Sequence, residues 1–203
     1  MPSRPRQEEA GAIHHVVAQG NGRTRIVTDD RDRREYTRRF VGIAEEHGWS
    51  IHASSLLDTH HHAVVETPEP TLGRGMQRIL GGYAWLFNER HGREGHLFHG
   101  PFWSRRIAAD AHFFTACLYV VLNPVAAGLC SHPREWRWSS YRATAAGRGT
   151  DRLLDMFGRE RGERYADVVD AATARLLERR ARSSRELWDV ADSTRPGALS
   201  GSG

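Results

Sequence analysis

There is no lysine in this 203-residue chain; all 29 basic side chains are arginine. Cysteine is nearly as scarce, with Cys117 and Cys130 alone. Two cysteines exclude a disulfide framework and a four-cysteine zinc site, and they fit a reducing compartment. Long apolar runs are missing too. None approaches the roughly 20 residues that span a bilayer, and the opening Met1-Pro2-Ser3-Arg4-Pro5-Arg6 has no apolar stretch of the kind that directs secretion. The expectation is a cytoplasmic protein with no membrane partner. No internal repeat is visible.

What is present suits a globular domain. Hydrophobic residues make up 39% and charged residues 27% of the chain, and the length allows one core with an appendage. The net charge of +4 is unevenly spread: residues 151–203 carry ten arginines and ten acids, so the whole excess lies in residues 1–150. A GC-rich genome would favour arginine everywhere. The uneven distribution instead suggests a polyanionic partner for the main domain, where the guanidinium fork suits phosphate.

Periodicity orders the chain. Residues 12–18 read as a strand ended by the turn signal Gln19-Gly20-Asn21-Gly22. Asp29-Asp30 open a helix to about residue 46, with Tyr36, Phe40, Ile43 and Ala44 at helical spacing and His47-Gly48 as its stop. Strands follow at 49–57 and from His60, joined tightly at Asp58-Thr59. A second helix over 72–91 is weakened by Gly73, Gly75, Gly81 and Gly82, which makes a break possible. A strand over 103–108 precedes a third helix, which Asp110 starts and Asn123-Pro124 closes near residue 122. This β-α-β-β-α-β order predicts an α+β, ferredoxin-like antiparallel sheet with helices on one face. The expected organisation is a flexible N-terminus over 1–10, a main domain over 11–145, a charged helical extension over 146–192 and a disordered tail over 193–203.

The run His60-His61-His62 carries the first chemical signal. Strand side chains alternate between faces, so His60 and His62 point one way and His61 the other. Two imidazoles one pleat apart can share a divalent cation, although a histidine patch on a half-buried strand is the commoner arrangement. The second signal lies on the third helix. Tyr119 and Asn123 are four residues apart and share a face, with His112 on roughly the same side. A tyrosine hydroxyl, with a pKa near 10, is a weak nucleophile at neutral pH. It becomes useful against a phosphodiester whose oxygens a metal polarises. Two histidines and a side-chain oxygen such as that of Asn123 suit Mg²⁺ or Mn²⁺ with positions left open for phosphate.

In five stretches the chain resembles the single-tyrosine HUH transposases, and most of all the REP-associated tyrosine transposases. They are Gly11-Ala12-Ile13-His14-His15-Val16; His60-His61-His62 with Ala63-Val64-Val65; Tyr83 with Asn88-Glu89-Arg90-His91-Gly92-Arg93-Glu94-Gly95-His96-Leu97-Phe98; Tyr119-Val120-Val121-Leu122-Asn123-Pro124-Val125 with Gly128-Leu129; and Pro133 with Trp136-Arg137-Trp138-Ser139-Ser140-Tyr141. The resemblance implies roles for particular residues. His60 and His62 match the metal-binding histidines, and Asn123 stands where relatives place an amide ligand. Tyr119 matches the nucleophile, which joins the 5′ phosphate of a cleaved strand. The implied activity is metal-dependent cleavage and strand transfer on single-stranded DNA near hairpins, often those of palindromic repeats, by a monomer or homodimer. A nucleic-acid-binding module of the same fold that has lost catalysis is the alternative, and a water-using metal phosphoesterase a further one.

Three positions depart from the family pattern. His61 stands where a bulky apolar residue is usual, Asp58-Thr59 replaces a frequent Pro-Asn, and Pro101 occupies a position where arginine is common. His61 is expected to face the far side of the sheet, where its imidazole needs a hydrogen-bond partner. For DNA contact the candidates are Arg23, Arg25, Arg90, Arg93, Arg105 and Arg106 against phosphate, and Trp103, Trp136 and Trp138 against unpaired bases.

Overall fold

The structure, a computed structural model, describes residues 8–108 and 110–193. The tail beyond residue 193 and most of the polar N-terminus therefore fall outside it. Four strands and three long helices follow the expected order: β1 (Ala12–Gln19), α1 (Asp30–Glu46), β2 (Ser50–Leu56), β3 (His60–Thr67), α2 (Leu72–His91), β4 (Trp103–Ile107) and α3 (Asp110–Ala126). The sheet order is β2-β3-β1-β4, and every pairing is antiparallel. The architecture is α+β, with the strand order of a ferredoxin-like sandwich.

Local chemistry accounts for the boundaries. Asp29 caps α1 by accepting hydrogen bonds from the Arg31 and Asp32 amides at 2.9 and 3.0 Å. Gly48, at φ +65°, turns the chain out of that helix. The glycines of α2 do not break it. Gly75 lies so close to the Trp49 ring that a side chain at that position would meet the ring at 2.4 Å, so it serves helix packing rather than a kink.

Alternation along the strands builds two cores. Val16, Ala18, Ala63 and Val65 face α1 and α2, where they meet Tyr36, Phe40, Met76, Ile79 and Tyr83. Ile13, Ala53 and Val64 face the other way, against Phe113, Cys117, Val120 and Val121 of α3. Each such large side chain, fully buried, contributes about 2 kcal/mol through area removed from water. The expectation of helices on one face thus holds for α1 and α2, while α3 covers the opposite face.

The end of α3 corrects the sequence reading. The helix was expected to close before Pro124, yet it runs through that residue to Ala126. A proline costs a helix one donor, but Val121 and Val125 are fully buried and hold this last turn against the core. The terminal carbonyls are also satisfied. Ala127 N–H donates to Asn123 O at 2.8 Å, Leu129 N–H donates to Pro124 O at 2.9 Å, and Gly128 turns the chain at φ +74°. Asn123 consequently keeps helical geometry one turn beyond Tyr119.

The aromatic segment after α3 lies along the edge of the sheet. It runs beside β2, with Leu56 N–H donating to Trp138 O and Ser140 N–H to Ser54 O, both at 2.9 Å. An otherwise open sheet edge is thereby covered. Three further helices follow, α4 (Tyr141–Ala145), α5 (Asp151–Leu154) and α6 (Arg161–Ser193). Tyr141, Leu153, Tyr165 and Val169 from them enter the core beneath α3, so residues on both sides of position 146 share one interior. No helix among the described residues is long and apolar enough to cross a membrane.

Candidate functional site

The histidine run owes its geometry to a tight turn. Leu57 N–H donates to His60 O at 2.9 Å, which closes Asp58-Thr59 into a two-residue connection between β2 and β3. Arg33 and Arg25 both pair with Asp58 in that turn, Arg25 at 3.5 Å. Registered against β1 and β2 on either side, β3 sends His60 and His62 toward α3 and His61 toward α1.

On the α3 side, four side chains converge. His60 Nε2 lies 3.3 Å from Asn123 Oδ1, linking strand to helix. The His60 and His62 rings stand edge to face with centroids 4.9 Å apart. One helical turn before Asn123, the Tyr119 ring is 5.5 Å from that of His62. Asn123 is buried, whereas Tyr119 is 50% exposed, so its hydroxyl is open to a large substrate. Ser55, directly opposite His62 in the ladder, buries its hydroxyl without a hydrogen-bond partner among the described residues.

The electrostatics suit ligation. Burial lowers the pKa of His60, partly offset by its hydrogen bond to Asn123. Burial, with the neighbouring His60, His15 and His61, pushes His62 down to about 3. Both imidazoles are therefore neutral at pH 7, with lone pairs available. The 3.3 Å between His60 Nε2 and Asn123 Oδ1 suits two donors side by side on one small cation, since adjacent ligands of an octahedral Mg²⁺ sit roughly 3 Å apart. Among the described residues no three His, Cys, Asp or Glu side chains form a metal cluster, so an amide oxygen completes the donor set better than a third histidine or a carboxylate.

His61 belongs to the other face. Its Nδ1 lies 3.0 Å from Tyr36 Oη and its Nε2 2.9 Å from Ser54 Oγ, so both ring nitrogens are satisfied. The Phe40 ring packs edge-on at 4.7 Å. The imidazole is accommodated among apolar side chains because two hydroxyls satisfy its ring nitrogens.

The DNA-contact candidates divide. Trp103 and Arg105 lie on the His15 side of β4, and Trp103 is 52% exposed. A groove of about 490 Å³ runs between β4 and α3, bordered by His15, Arg105, Arg106, His112 and Tyr119. Arg23 and Arg25 are exposed near the Asp58-Thr59 turn. Arg90, in contrast, is committed to Asp29 and Asp32, where it locks α2 to the start of α1. Arg93 stacks over Phe87 at 5.8 Å. Trp136 donates its Nε1 hydrogen to Leu56 O at 3.0 Å, and Trp138 packs partly buried against the first core, so both are held in place by the fold. Sequence reasoning passed over His15, whose Nε2 is 3.1 Å from His62 Nδ1, and Thr59, whose Oγ1 is 2.9 Å from His60 Nδ1. The doublet His14-His15 was visible, but its register against β3 was not.

Among solved structures, the chain is similar to a REP-associated tyrosine transposase bound to a REP hairpin, with a TM-score of 0.61 and 18% identity over 72% of this chain and 86% of that one. The likeness shows a shared fold. A transposase candidate from Deinococcus radiodurans R1 aligns at a TM-score of 0.41 with 13% identity, over 55% of this chain and 91% of that one, and carries no further argument. No protein-family model and no curated protein matches the sequence.

Proposed function

We propose that this protein is a single-tyrosine transposase of the REP-associated kind, which cuts and rejoins single-stranded DNA beside a hairpin. The observation that carries the reading is the meeting of Asn123 on α3 with His60 on β3 at 3.3 Å. The Tyr119 ring, one helical turn earlier, is 5.5 Å from that of His62 and is half exposed. The fold shared with a transposase bound to a REP hairpin supports the same choice of substrate.

In this reading His60, His62 and Asn123 hold Mg²⁺ or Mn²⁺, which when bound draws charge from the scissile phosphate. Tyr119 Oη attacks phosphorus as its proton is lost to solvent. The bond from phosphorus to the 3′ oxygen breaks, and that oxygen leaves as a 3′ hydroxyl after taking up a proton. The 5′ phosphate stays on Tyr119. Attack on this phosphotyrosine by a 3′ hydroxyl reverses the chemistry and joins strands. Arg105 and Trp103 flank the groove that leads to Tyr119, and suit a phosphate and an unstacked base.

The test is incubation of wild type and Tyr119→Phe with hairpin oligonucleotides and Mn²⁺. Wild type should yield a covalent protein–DNA adduct that survives denaturation, and Tyr119→Phe none. Cleavage by both alike would make water the nucleophile. Hairpin binding without cleavage by either would leave a nucleic-acid-binding module.

A further inference from the structure

We propose that His15 is a positioning residue for the cation site: its Nε2 accepts the Nδ1 proton of His62 and fixes the tautomer in which His62 offers Nε2 to the metal. The inference rests on the reading above that His60 and His62 hold a divalent cation.

The two residues sit on neighbouring strands. His15 is opposite Val64, and His62 is opposite Val17, so they are diagonal neighbours on one sheet face. Their rings are nearly parallel, inclined by 23° with centroids 5.3 Å apart, and Nε2 of His15 lies 3.1 Å from Nδ1 of His62. A neutral imidazole has one nitrogen that donates and one that accepts. A contact between two ring nitrogens therefore requires opposite roles. If His62 donates from Nδ1, its Nε2 keeps a lone pair and can bind a metal. If His62 accepts at Nδ1, its Nε2 carries the proton and cannot.

His60 provides an internal parallel. Its Nδ1 lies 2.9 Å from Thr59 Oγ1, while its Nε2 faces Asn123 Oδ1. Each candidate ligand thus has Nδ1 engaged by a neighbour; the proton that His60 Nε2 donates to Asn123 Oδ1 in the metal-free protein is the one a cation bound between the two would displace. Metal-binding histidines commonly give their second N–H to a carboxylate or carbonyl, and losing that partner weakens metal affinity by roughly 10- to 100-fold. Here a threonine hydroxyl and a third imidazole supply the acceptors. The His15 ring is itself held, edge-on to Trp103 at 5.5 Å and to Tyr119 at 5.7 Å. The same ring therefore ties the orientation of His62 to the positions of the tyrosine and of β4.

Two measurements test this without relying on DNA cleavage. The first is Mn²⁺ binding, by paramagnetic resonance titration, to wild type, His15→Phe, His15→Gln and His60→Ala. Phenylalanine keeps the ring and removes the acceptor, and glutamine restores an acceptor oxygen. His15→Phe should bind Mn²⁺ about 10- to 100-fold more weakly with an unchanged unfolding temperature, and His15→Gln should recover to within about 3-fold of wild type. Equal affinity in wild type and His15→Phe would overturn the role of His15 alone. Equal weakening in both His15 variants would overturn it too, since loss of fit would then explain the effect. No Mn²⁺ binding by wild type would remove the cation reading and this inference together. The second measurement needs no variant. Long-range proton–nitrogen spectra of the metal-free protein at pH 8 should show His62 protonated at Nδ1; protonation at Nε2 would overturn the proposal.

Discussion

Three consecutive histidines end on two faces of one sheet, and the faces treat them oppositely. On the α1 and α2 side, His61 is enclosed, and both its nitrogens are satisfied by Tyr36 and Ser54. On the α3 side, His60 and His62 stand beneath a half-exposed tyrosine, next to a groove that opens to solvent. The residue type is the same and the chain positions are adjacent. What differs is the partner helix: α1 and α2 bring bulky apolar side chains and a phenol, whereas α3 brings an amide oxygen and an open hydroxyl. A closed face turns a histidine into packing, and an open one keeps its lone pair for chemistry.

The largest effect should come from exchanging the two roles by mutation. His62→Ala should lower strand cleavage on the order of 10³-fold, the scale of losing one essential member of a concerted site. It should cost about 1 kcal/mol of stability or less, because its one hydrogen-bond partner among the described residues is His15. His61→Ala should behave in reverse. It leaves a cavity and strips Tyr36 and Ser54 of their partner, which should cost about 3 kcal/mol, while Mn²⁺ affinity stays within about 2-fold of wild type because His61 lies on the far face. Denaturant unfolding and metal titration of the two variants separate the cases. A His61→Ala protein that folds normally but binds no metal would break the comparison.

Acid should strain the closed face next. Burial pushes the His61 pKa down to about 3 from 6.5. The unfolded chain takes up a proton at this residue below about pH 6.5, and the folded chain does not until about pH 3. Stability is therefore complete above pH 6.5 and falls with pH between those values, by about 1 kcal/mol per pH unit for one such group. His62 is shifted in the same direction and adds its own slope. His15, His52 and His60 are lowered by burial as well, and His61→Leu should remove the His61 share alone. Between pH 7 and pH 5, denaturant melts should show wild type losing about 1–2 kcal/mol more than His61→Leu. Parallel pH profiles would mean that His61 is not buried as described.

Much of this was legible because it is local. Alternation along a strand separated His61 from its neighbours, and the four-residue spacing of Tyr119 and Asn123 put them on one helical face. The Asp29 cap and the Asp58-Thr59 turn also follow from nearest-neighbour chemistry. What stayed hidden depends on residues far apart in the chain. Nothing in the α3 sequence tells which sheet face it covers, because an apolar stripe specifies burial and not a partner. Arg90 looked free for phosphate until the fold brought it to Asp29 and Asp32, about 60 positions earlier. His15 reaches His62 only through the β1–β3 register. Pro124 misled for a related reason: the local preference to end the helix was outweighed by burial of Val121 and Val125.

The smallest effect extends the contrast between faces to the edge strand. In β4, Arg105 lies opposite His15 and Arg106 opposite His14, so they leave the sheet on different sides. Both border the groove beside Tyr119, but Arg106 is paired with Glu9 at 2.9 Å and its charge is already answered. Arg105→Ala should weaken binding of a single-stranded hairpin flank by about 5- to 10-fold and flatten the salt dependence by roughly one phosphate contact. Arg106→Ala should change affinity by less than about 2-fold, since an exposed, already paired charge contributes little. Fluorescence anisotropy over a salt series measures both numbers. Equal losses for the two variants would place the DNA across the strand edge instead of on the Tyr119 face, and the division between a closed face and an open one would end at β1.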